Sequence, residues 1–368
     1  ADYVIVGAGS AGCVLANRLS ESGRSVVLLE AGPRDNSIIL RMPAALGLPL
    51  LNTRFNWAFQ SEPEPGLGGR RSDQPRGRVL GGSSSLNGMV FVRGNARDYD
   101  GWVEAGAPSW SYAECLPYFK RMETFSEGGN DYRGGDGPLH VARCKADNPL
   151  YQAFLRAGQD AGLPFSEDHN GRQQEGVNIA QATVHRGERE STSRAFLAPV
   201  MGRENLAIVT GALATGLVLS GNRAIGVDCL VNGEKRSFEA EREVILSAGA
   251  FGSPQLLMLS GIGDGAELRA HGIAVRQNLL GVGKSLQDHV AVPIQYRTTK
   301  PVSPARNLGK LGRLAVGLRW MAARSGLGAS NYFEVGAFLR GNDQVAWPNL
   351  QHEFFPMIGE FYRGEAKV

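Results

Sequence analysis

Apolar and polar positions fall into blocks along the first thirty residues, and the blocks predict a strand, a helix and a second strand. The run from Tyr3 to Val6 is apolar throughout, as expected for a short buried strand. Residues 13–19 form a helical run, and residues 26–29 form a second apolar run that ends in Glu30. This order is typical of the beginning of a dinucleotide-binding α/β fold.

A glycine-rich turn joins the first strand to the helix. Gly7, Gly9 and Gly12 have the spacing G-x-G-x-x-G, and Glu30 lies 18 residues beyond the last of them. In the dinucleotide fold these glycines permit the sharp turn, the approach of a pyrophosphate to the backbone, and close packing of helix on strand. The helix N-terminus would bind the phosphates and Glu30 the ribose hydroxyls. We predict a dinucleotide site rather than a purely structural turn, although this pattern does not distinguish NAD from FAD.

A second glycine-rich segment indicates a large cofactor. Residues 77–94 form a glycine- and serine-rich loop that runs into an apolar stretch. Successive N–H groups of Gly81, Gly82 and Ser83 would form a nest for an anion. Asn87 follows them, and its amide can both donate and accept hydrogen bonds at the edge of a flavin.

The middle of the chain repeats the first plan. Residues 244–263 have the order strand, small turn, helix, and Pro254 falls in the first turn of that helix, where its missing N–H costs nothing. Turn residues at 220–222 and 231–233 divide residues 215–240 into three segments, which predicts an antiparallel meander.

Composition narrows the class of protein. The 368 residues suggest two domains, and 39 basic against 36 acidic residues leave a net charge of +3, too slight to indicate a nucleic-acid partner. The four cysteines have no spacing typical of a disulfide framework or a zinc site, so we expect a reducing, cytoplasmic compartment and no metal. No run approaches the roughly 18 consecutive apolar residues of a membrane-spanning helix. Because the first predicted strand begins at once, we expect no signal peptide in the given sequence.

These segments together resemble the glucose-methanol-choline (GMC) oxidoreductases, FAD enzymes that oxidise alcohols. Residues 77–100 and 249–263 match both family signatures, and residues 281–289 resemble a third motif, with Ser285 where asparagine is usual. The resemblance runs from residue 1 to residue 368 and is closest to the branch of choline dehydrogenases and aliphatic alcohol dehydrogenases. It implies FAD on an α/β dinucleotide-binding fold of GMC type, with a discontinuous substrate domain built on an antiparallel sheet.

The resemblance also implies a division of the chain. The FAD-binding domain would take residues 1–150 and 188–292, and the substrate-binding domain residues 151–187 and 293–368. Family members continue to a segment whose histidine accepts the alcohol proton, with a second histidine or asparagine downstream. None of the six histidines here lies in such a context. We therefore expect this chain to be a fragment whose catalytic base lies outside it.

By the same resemblance, the backbone of residues 87–89 would contact the flavin ring, and that of Leu213 would bracket the adenine unless Leu213 belongs to the core. Flavinylated relatives bond the ring to a histidine, and Leu86 occupies the matching position, so FAD should be noncovalent. The predicted cofactor-binding residues are Gly7, Gly9, Ser10, Ala11, Gly12, Glu30, Ala31, Trp57, Arg78, Val79, Gly82, Ser83, Asn87, Gly88, Met89, Val90, Leu213, Ala248, Gly249, Ser253, Asp288 and His289.

The predicted substrate pocket leaves its chemistry open. Choline-oxidising relatives hold the trimethylammonium group with aromatic faces and a carboxylate just after the Asp-His motif, and Ala291 occupies that position here. Glu353 stands where relatives carry a pocket histidine, so it is either a relocated carboxylate or an ordinary strand residue. Glu334 is likewise either a structural residue or part of the pocket lining. Trp57, Tyr332 and Phe333 are candidates for aromatic walls.

We therefore expect oxidation of a primary alcohol to the aldehyde by hydride transfer to flavin N5. Choline dehydrogenase, with Glu353 replacing the absent carboxylate, is one alternative. An FAD-containing hydroxynitrile lyase is another, because some flavoproteins of this fold cleave cyanohydrins without redox turnover. The electron acceptor would be a quinone or another small molecule. Residues 311–324 are amphipathic with three arginines, and would either lie on a membrane surface or pack on the pocket.

Overall fold

The computed structural model describes residues 1–357. The strands, in chain order, are β1 (Tyr3–Val6), β2 (Val26–Glu30), β3 (Phe59–Gln60), β4 (Asp73–Gln74), β5 (Glu123–Phe125), β6 (Leu139–Arg143), β7 (Gly176–Ile179), β8 (Gln181–Ala182), β9 (Val184–His185), β10 (Glu188–Arg189), β11 (Leu206–Thr210), β12 (Ala212–Ser220), β13 (Arg223–Val231), β14 (Glu234–Glu239), β15 (Glu243–Leu246), β16 (Ile262–Gly263), β17 (Gln277–Asn278), β18 (Val335–Leu339) and β19 (Leu350–Phe354). The α-helices are α1 (Ser10–Glu21), α2 (Ile38–Arg41), α3 (Gly47–Leu50), α4 (Ala96–Glu104), α5 (Tyr112–Met122), α6 (Pro149–Asp160), α7 (Gly249–Leu259), α8 (Gly265–Ala270) and α9 (Lys310–Ala323).

The chain forms two compact units, each assembled from separate stretches of sequence. Unit 1 comprises residues 1–37, 49–86 and 191–294. Unit 2 comprises residues 38–48, 87–190 and 295–368.

Unit 1 is built on a parallel sheet with the strand order β11-β2-β1-β15. The central strand β1 pairs with β2 on one side and β15 on the other, and Val4 and Ile5 are fully buried. Strands that are covered on both faces are apolar at nearly every position, and this continuous apolar run is why the sequence predicted them. Because the strands are parallel, Gly7, Glu30 and Ser247 lie at their carboxyl ends, at the same edge of the sheet.

The predicted meander is present as β12, β13 and β14, an antiparallel sheet in unit 1. The β13–β14 connection contains Asn232 at φ 52° and Gly233 at φ 91°. Two successive positive φ values are the requirement of a two-residue hairpin turn, and asparagine followed by glycine meets it. The side chains of Val227, Cys229 and Val231 pack with those of β1 and β2 in one core.

Unit 2 contains the expected antiparallel sheet, in the order β19-β18-β7. Its core combines Tyr151 and Leu155 of α6 with Val177, Val335 and Ala337 of the sheet. A second small sheet, β5-β6-β8, lies in the same unit.

The compact units differ from the predicted domains mainly over residues 87–150, and also at residues 38–48 and 188–190, all of which the sequence analysis assigned to the FAD-binding domain. In the structure these residues pack within unit 2. The reason is backbone pairing, since β6 bonds to β8 and Val90 forms a bridge with Ala182. The assignment of FAD and substrate binding to particular stretches stays a prediction.

Unit 2 also buries a cluster of charges. Glu123 is fully buried and accepts hydrogen bonds from Arg93 Nη2 at 2.6 Å and Arg133 Nε at 2.8 Å. A second contact joins Arg133 Nη1 to Asp168 at 3.0 Å. The carboxylates and guanidinium groups thus compensate one another inside the core.

Across residues 1–357, no helix combines the length and apolar character needed to cross a membrane. The amphipathic stretch of the sequence forms α9. Its leucines Leu311, Leu314 and Leu318 are exposed, whereas Trp320 is buried.

Candidate cofactor site

A cavity of about 500 Å³ lies in unit 1 at the carboxyl edge of the parallel sheet. Crevices at this edge are where open α/β sheets bind ligands, because the loops that follow the strands diverge there. The predicted cofactor-binding residues that line it are Gly7, Gly9, Ser10, Ala11, Glu30, Ala31, Trp57, Gly82, Ser83, Leu213, Ala248, Gly249 and Ser253.

Three of the glycines are required by close backbone approach. Gly7 has φ +94°, and a Cβ at Gly12 would lie 2.0 Å from the Gly7 oxygen. Gly82, at φ +55°, lies so near the first turn that its Cβ would meet Gly9 Cα at 2.7 Å. The two glycine-rich loops therefore touch through bare backbone. The N–H groups of Gly81 and Gly82 donate to backbone oxygens of the protein at 2.8 Å, so they do not form the predicted nest for an anion.

The N-terminus of α1 is suited to an anion. Gly9 caps the helix without a side-chain hydrogen bond, and Cys13 N–H is bonded to Gly9 oxygen at 3.0 Å. The N–H groups of the first turn have no partner within a helix, and the helix dipole is positive at this end. Ser10 and Ala11 are exposed and line the cavity. A pyrophosphate fits this turn.

Among the described residues, Glu30 is the one acidic side chain of the cavity lining. It is 5% exposed, and its Oε2 and Oε1 accept hydrogen bonds from Ala8 N–H at 2.9 Å and Gly32 N–H at 2.8 Å. Burial raises its pKa from the ordinary 4.5 to about 7, and the two backbone N–H groups oppose that rise. Each oxygen has a second lone pair, so the oriented carboxylate can accept two hydroxyl groups.

Aromatic rings and a cation line the cavity, and most of them were missed by the sequence analysis. Trp57 stacks on Phe59 with 5.7 Å between ring centroids, and Phe251 lies 5.6 Å from Phe59. The guanidinium of Arg76 lies 4.7 Å from the Phe251 ring, and that of Arg78 lies 5.0 Å from the Trp57 ring. Phe251 lies within the second signature, whereas Arg76 has no sequence signal.

Five predicted cofactor-binding residues of unit 1 do not line the cavity. Gly12 is a packing residue, and Val79 is fully buried. Asp288 and His289 are exposed, with side chains 55% and 93% accessible, and Asp288 lies 3.7 Å from Arg76. Arg78 is half-buried, and its Nε finds no acceptor among residues 1–357.

Residues 87–90 lie in unit 2, where they form a turn that presents hydrogen-bond donors. The carbonyl oxygens of residues 87, 88 and 89 accept hydrogen bonds from Arg189 Nη1 at 2.6 Å, Asn331 Nδ2 at 2.8 Å and Thr183 N–H at 2.9 Å. These three hydrogen bonds fix the carbonyl groups. The N–H groups of residues 87 and 88 have no acceptor in the described part of the chain. Met89 adopts φ +61° and is fully buried, which fixes the turn.

Phe333, a predicted pocket residue, packs against this turn. Its ring lies 3.5 Å from the position that a Cβ would take at Gly88, an ordinary van der Waals distance. Phe333 also stacks on Phe355 with centroids 4.9 Å apart.

The two predicted pocket carboxylates have different surroundings. Glu334 is tied locally: its Oε2 accepts from Ala146 N–H at 2.8 Å, and its Oε1 accepts from the Ser330 hydroxyl. This contact set favours the structural interpretation. Glu353 is exposed on β19, and its Oε1 accepts from Gln351 Nε2 at 3.0 Å.

The family is established by sequence. The family model described as GMC oxidoreductase matches residues 1–291, and the chain belongs to this family of FAD-dependent oxidoreductases. The resemblance and the cofactor class inferred from the motifs are thereby confirmed.

Curated relatives share most of the chain. An oxygen-dependent choline dehydrogenase from Photobacterium profundum is 51% identical over 99% of this chain and 65% of the relative. One from Brucella anthropi is 48% identical over 100% of this chain and 66% of the relative. The chain thus spans about two thirds of the length of these relatives.

Solved structures confirm the fold class. A pyridoxine 4-oxidase from Mesorbium loti is 34% identical with a TM-score of 0.80, over 92% of this chain and 63% of that one. A formate oxidase variant from Aspergillus oryzae RIB40, studied for its FAD modification, is 28% identical with a TM-score of 0.87, over 97% of this chain and 68% of that one.

Proposed function

We propose that this protein oxidises a primary alcohol to the aldehyde, with the dinucleotide part of FAD held in the cavity of unit 1. The observation that carries the proposal is Glu30, buried at the end of β2 with both oxygens aimed by backbone N–H groups, beside an uncapped helix N-terminus. A carboxylate for two hydroxyl groups and free N–H groups for a pyrophosphate are the complementary halves of a dinucleotide site. Membership of the GMC family selects FAD over NAD.

When bound, FAD supplies the two-electron chemistry by accepting a hydride from the carbinol carbon. The residues of this chain bind and orient it. The first turn of α1 would bind the pyrophosphate, Glu30 the ribose, and the donors of residues 87–88 the acceptor edge of the flavin ring. Trp57 and Phe59 line the cavity and would exclude water from it, and desolvation strengthens each of these hydrogen bonds.

We further propose that FAD is bound without a covalent link. Leu86 stands where flavinylated relatives carry the bonding histidine, and it is 2% exposed. An aliphatic side chain offers no nucleophile for attachment to the ring.

A neutral primary alcohol is the proposed substrate, and choline is the second candidate. Ala291 cannot balance a trimethylammonium group, and burying an unpaired cation costs several kcal/mol. Choline is favoured by the names of the relatives at 46–51% identity. In that case Glu353 would supply the negative charge, with Phe333 as an aromatic face.

The test has two arms. In anaerobic mixing, loss of the absorbance of oxidised flavin on addition of an alcohol indicates an oxidoreductase, whereas unchanged flavin together with cyanohydrin cleavage indicates a lyase.

In steady state, kcat/KM is compared for choline and its neutral isostere 3,3-dimethylbutanol, in wild type and in Glu353→Gln. Preference for the isostere supports a neutral substrate. A choline preference that Glu353→Gln abolishes supports the second candidate, and one that survives would refute both assignments.

The electron acceptor is proposed to be a quinone or another small molecule, with peripheral membrane contact through α9. The exposed Leu311, Leu314 and Leu318 of α9, with Arg313 and Arg319 on the same helix, support this contact. Sedimentation with anionic vesicles tests it: replacing the three leucines with serine should abolish binding, and unchanged binding would refute it.

A further inference from the structure

Arg189 lies at the end of β10 and is 1% exposed. Its Nε donates to Leu40 oxygen at 2.9 Å. Its Nη1 donates both to the backbone oxygen of Asn87 at 2.6 Å and to Asn87 Oδ1 at 2.9 Å. One buried guanidinium thus joins α2 to the residue that begins the donor-presenting turn of unit 2.

These contacts determine which way the Asn87 amide faces. A guanidinium can only donate hydrogen bonds, so the amide atom beside Arg189 must be the oxygen. Met89 N–H, also a donor, contacts the same Oδ1 at 3.1 Å. A flipped amide would set its NH₂ group against two donors in a partly buried place, an unfavourable arrangement.

The NH₂ group of Asn87 therefore faces outward. Asn87 is exposed, and its Nδ2 donates to no acceptor within residues 1–357. Together with the N–H groups of Asn87 and Gly88, it makes a group of donors on one turn. Such a group is complementary to a ligand edge that carries acceptors, as a flavin ring does.

We propose that Arg189 is a positioning residue, which fixes the Asn87 amide so that Nδ2 donates to an acceptor atom of the flavin ring. This inference rests on the proposed function. Burial lowers the pKa of Arg189 to about 10, which leaves it charged at neutral pH. The hydrogen bonds from Arg189 to Asn87 are therefore those of a charged guanidinium at neutral pH.

The alternative is that Asn87 serves only to close the turn through Oδ1. The substitution Asn87→Asp separates the two roles, because it keeps an oxygen for Arg189 and Met89 N–H but replaces the outward donor with a negative charge. If Asn87 is only structural, the variant should be as stable as wild type or more so, since it gains an ion pair with Arg189. If Nδ2 faces the flavin, the charge should disfavour the electron-rich reduced ring.

The experiment measures the two-electron reduction potential of the bound flavin, FAD affinity and thermal stability in the holoprotein. We expect Asn87→Asp to retain its melting temperature and to lower the ratio of reduced to oxidised flavin by tenfold or more at a fixed potential, about 30 mV for a two-electron couple. Asn130→Asp is the matched control. Its Oδ1 accepts from Tyr132 and Arg133 N–H groups in the same unit, at 2.8 and 2.9 Å, and its potential should equal that of wild type.

A double-mutant cycle tests whether Arg189 acts through Asn87. Arg189→Lys keeps the charge but cannot present the same fork of donors, so it should weaken FAD binding severalfold, and adding Asn87→Ala should then cost much less than it costs in wild type. Additive effects, or an unchanged potential in a folded Asn87→Asp variant, would overturn the inference. If Arg189→Lys does not fold, the Asn87→Asp potential decides alone. Failure of the proposed function is distinguishable, because wild-type protein would then not bind FAD or be reduced by an alcohol.

Discussion

FAD affinity should rise with pH across neutrality because of Glu30. In the ligand-free cavity burial holds the pKa of this carboxyl group near 7, so at pH 6 most molecules carry it protonated. Ribose hydroxyl groups donate to a carboxylate, and therefore the bound state favours ionised Glu30 and binding releases a proton. The direction follows: affinity is lowest below pH 7 and reaches its plateau above it.

The magnitude follows from the ionised fraction. With a pKa of about 7, that fraction rises from ~0.1 at pH 6 to ~0.9 at pH 8, so the dissociation constant of FAD should fall about tenfold over this interval. The stability of the ligand-free protein should depend on pH in the opposite direction. A folded pKa above the ordinary 4.5 means that the contribution of Glu30 to stability is present below pH 4.5 and is lost as pH rises through 7.

Titration of deflavinated protein with FAD, followed by quenching of flavin fluorescence at pH 6, 7 and 8, measures the effect. Glu30→Gln is the control, since it keeps the shape of the side chain and removes the titration. It should bind FAD with no pH dependence, and at pH 8 more weakly by about 1.5–3 kcal/mol, or one to two decades. The reasoning fails if wild-type affinity is flat across this range, or if Glu30→Gln changes affinity by less than about threefold.

Three further outcomes are expected. Acid precipitation should release all the yellow colour into the supernatant because Leu86 cannot bond the flavin, and colour in the pellet would contradict this. Gly12→Ala should abolish FAD binding and lower the stability by about 1–3 kcal/mol, since the new Cβ would lie 2.0 Å from a backbone oxygen. The control Gly216→Ala places its Cβ in open space and should match wild type in thermal melts and FAD titration. Glu123→Gln should lower the free energy of unfolding in urea by about 3–5 kcal/mol, because it removes the carboxylate from two buried guanidinium groups, and a change below about 1 kcal/mol would show that the cluster is not needed.

The sequence predicted the parallel strands and the meander well because each carries a local signal. β1 and β2 are apolar throughout up to Glu30, and the Asn232–Gly233 turn meets a φ requirement that few residues satisfy. The same is true of the glycine turn before α1. Signals of this kind depend on a residue's own conformation or its burial, and need no knowledge of distant partners.

The domain division was harder to predict. Residues 87–150 follow a cofactor motif in sequence and were therefore assigned to the discontinuous FAD-binding domain, yet strand pairing places them in unit 2. Partners in a sheet are chosen by hydrogen bonding between residues far apart in the chain. A motif in the sequence does not reveal that choice.

The amino-acid sequence by itself determined the family, the FAD class of cofactor and the glycines and acid at the edge of the parallel sheet, because those residues are required one at a time by backbone geometry and charge. Only the tertiary structure decided which partners the charged side chains bind. Glu334 is held by Ala146 and Ser330, and Arg189 aims Asn87 from 102 residues away. The direction of a hydrogen bond depends on the partner that folding brings beside it, and that partner is not written in the neighbouring sequence.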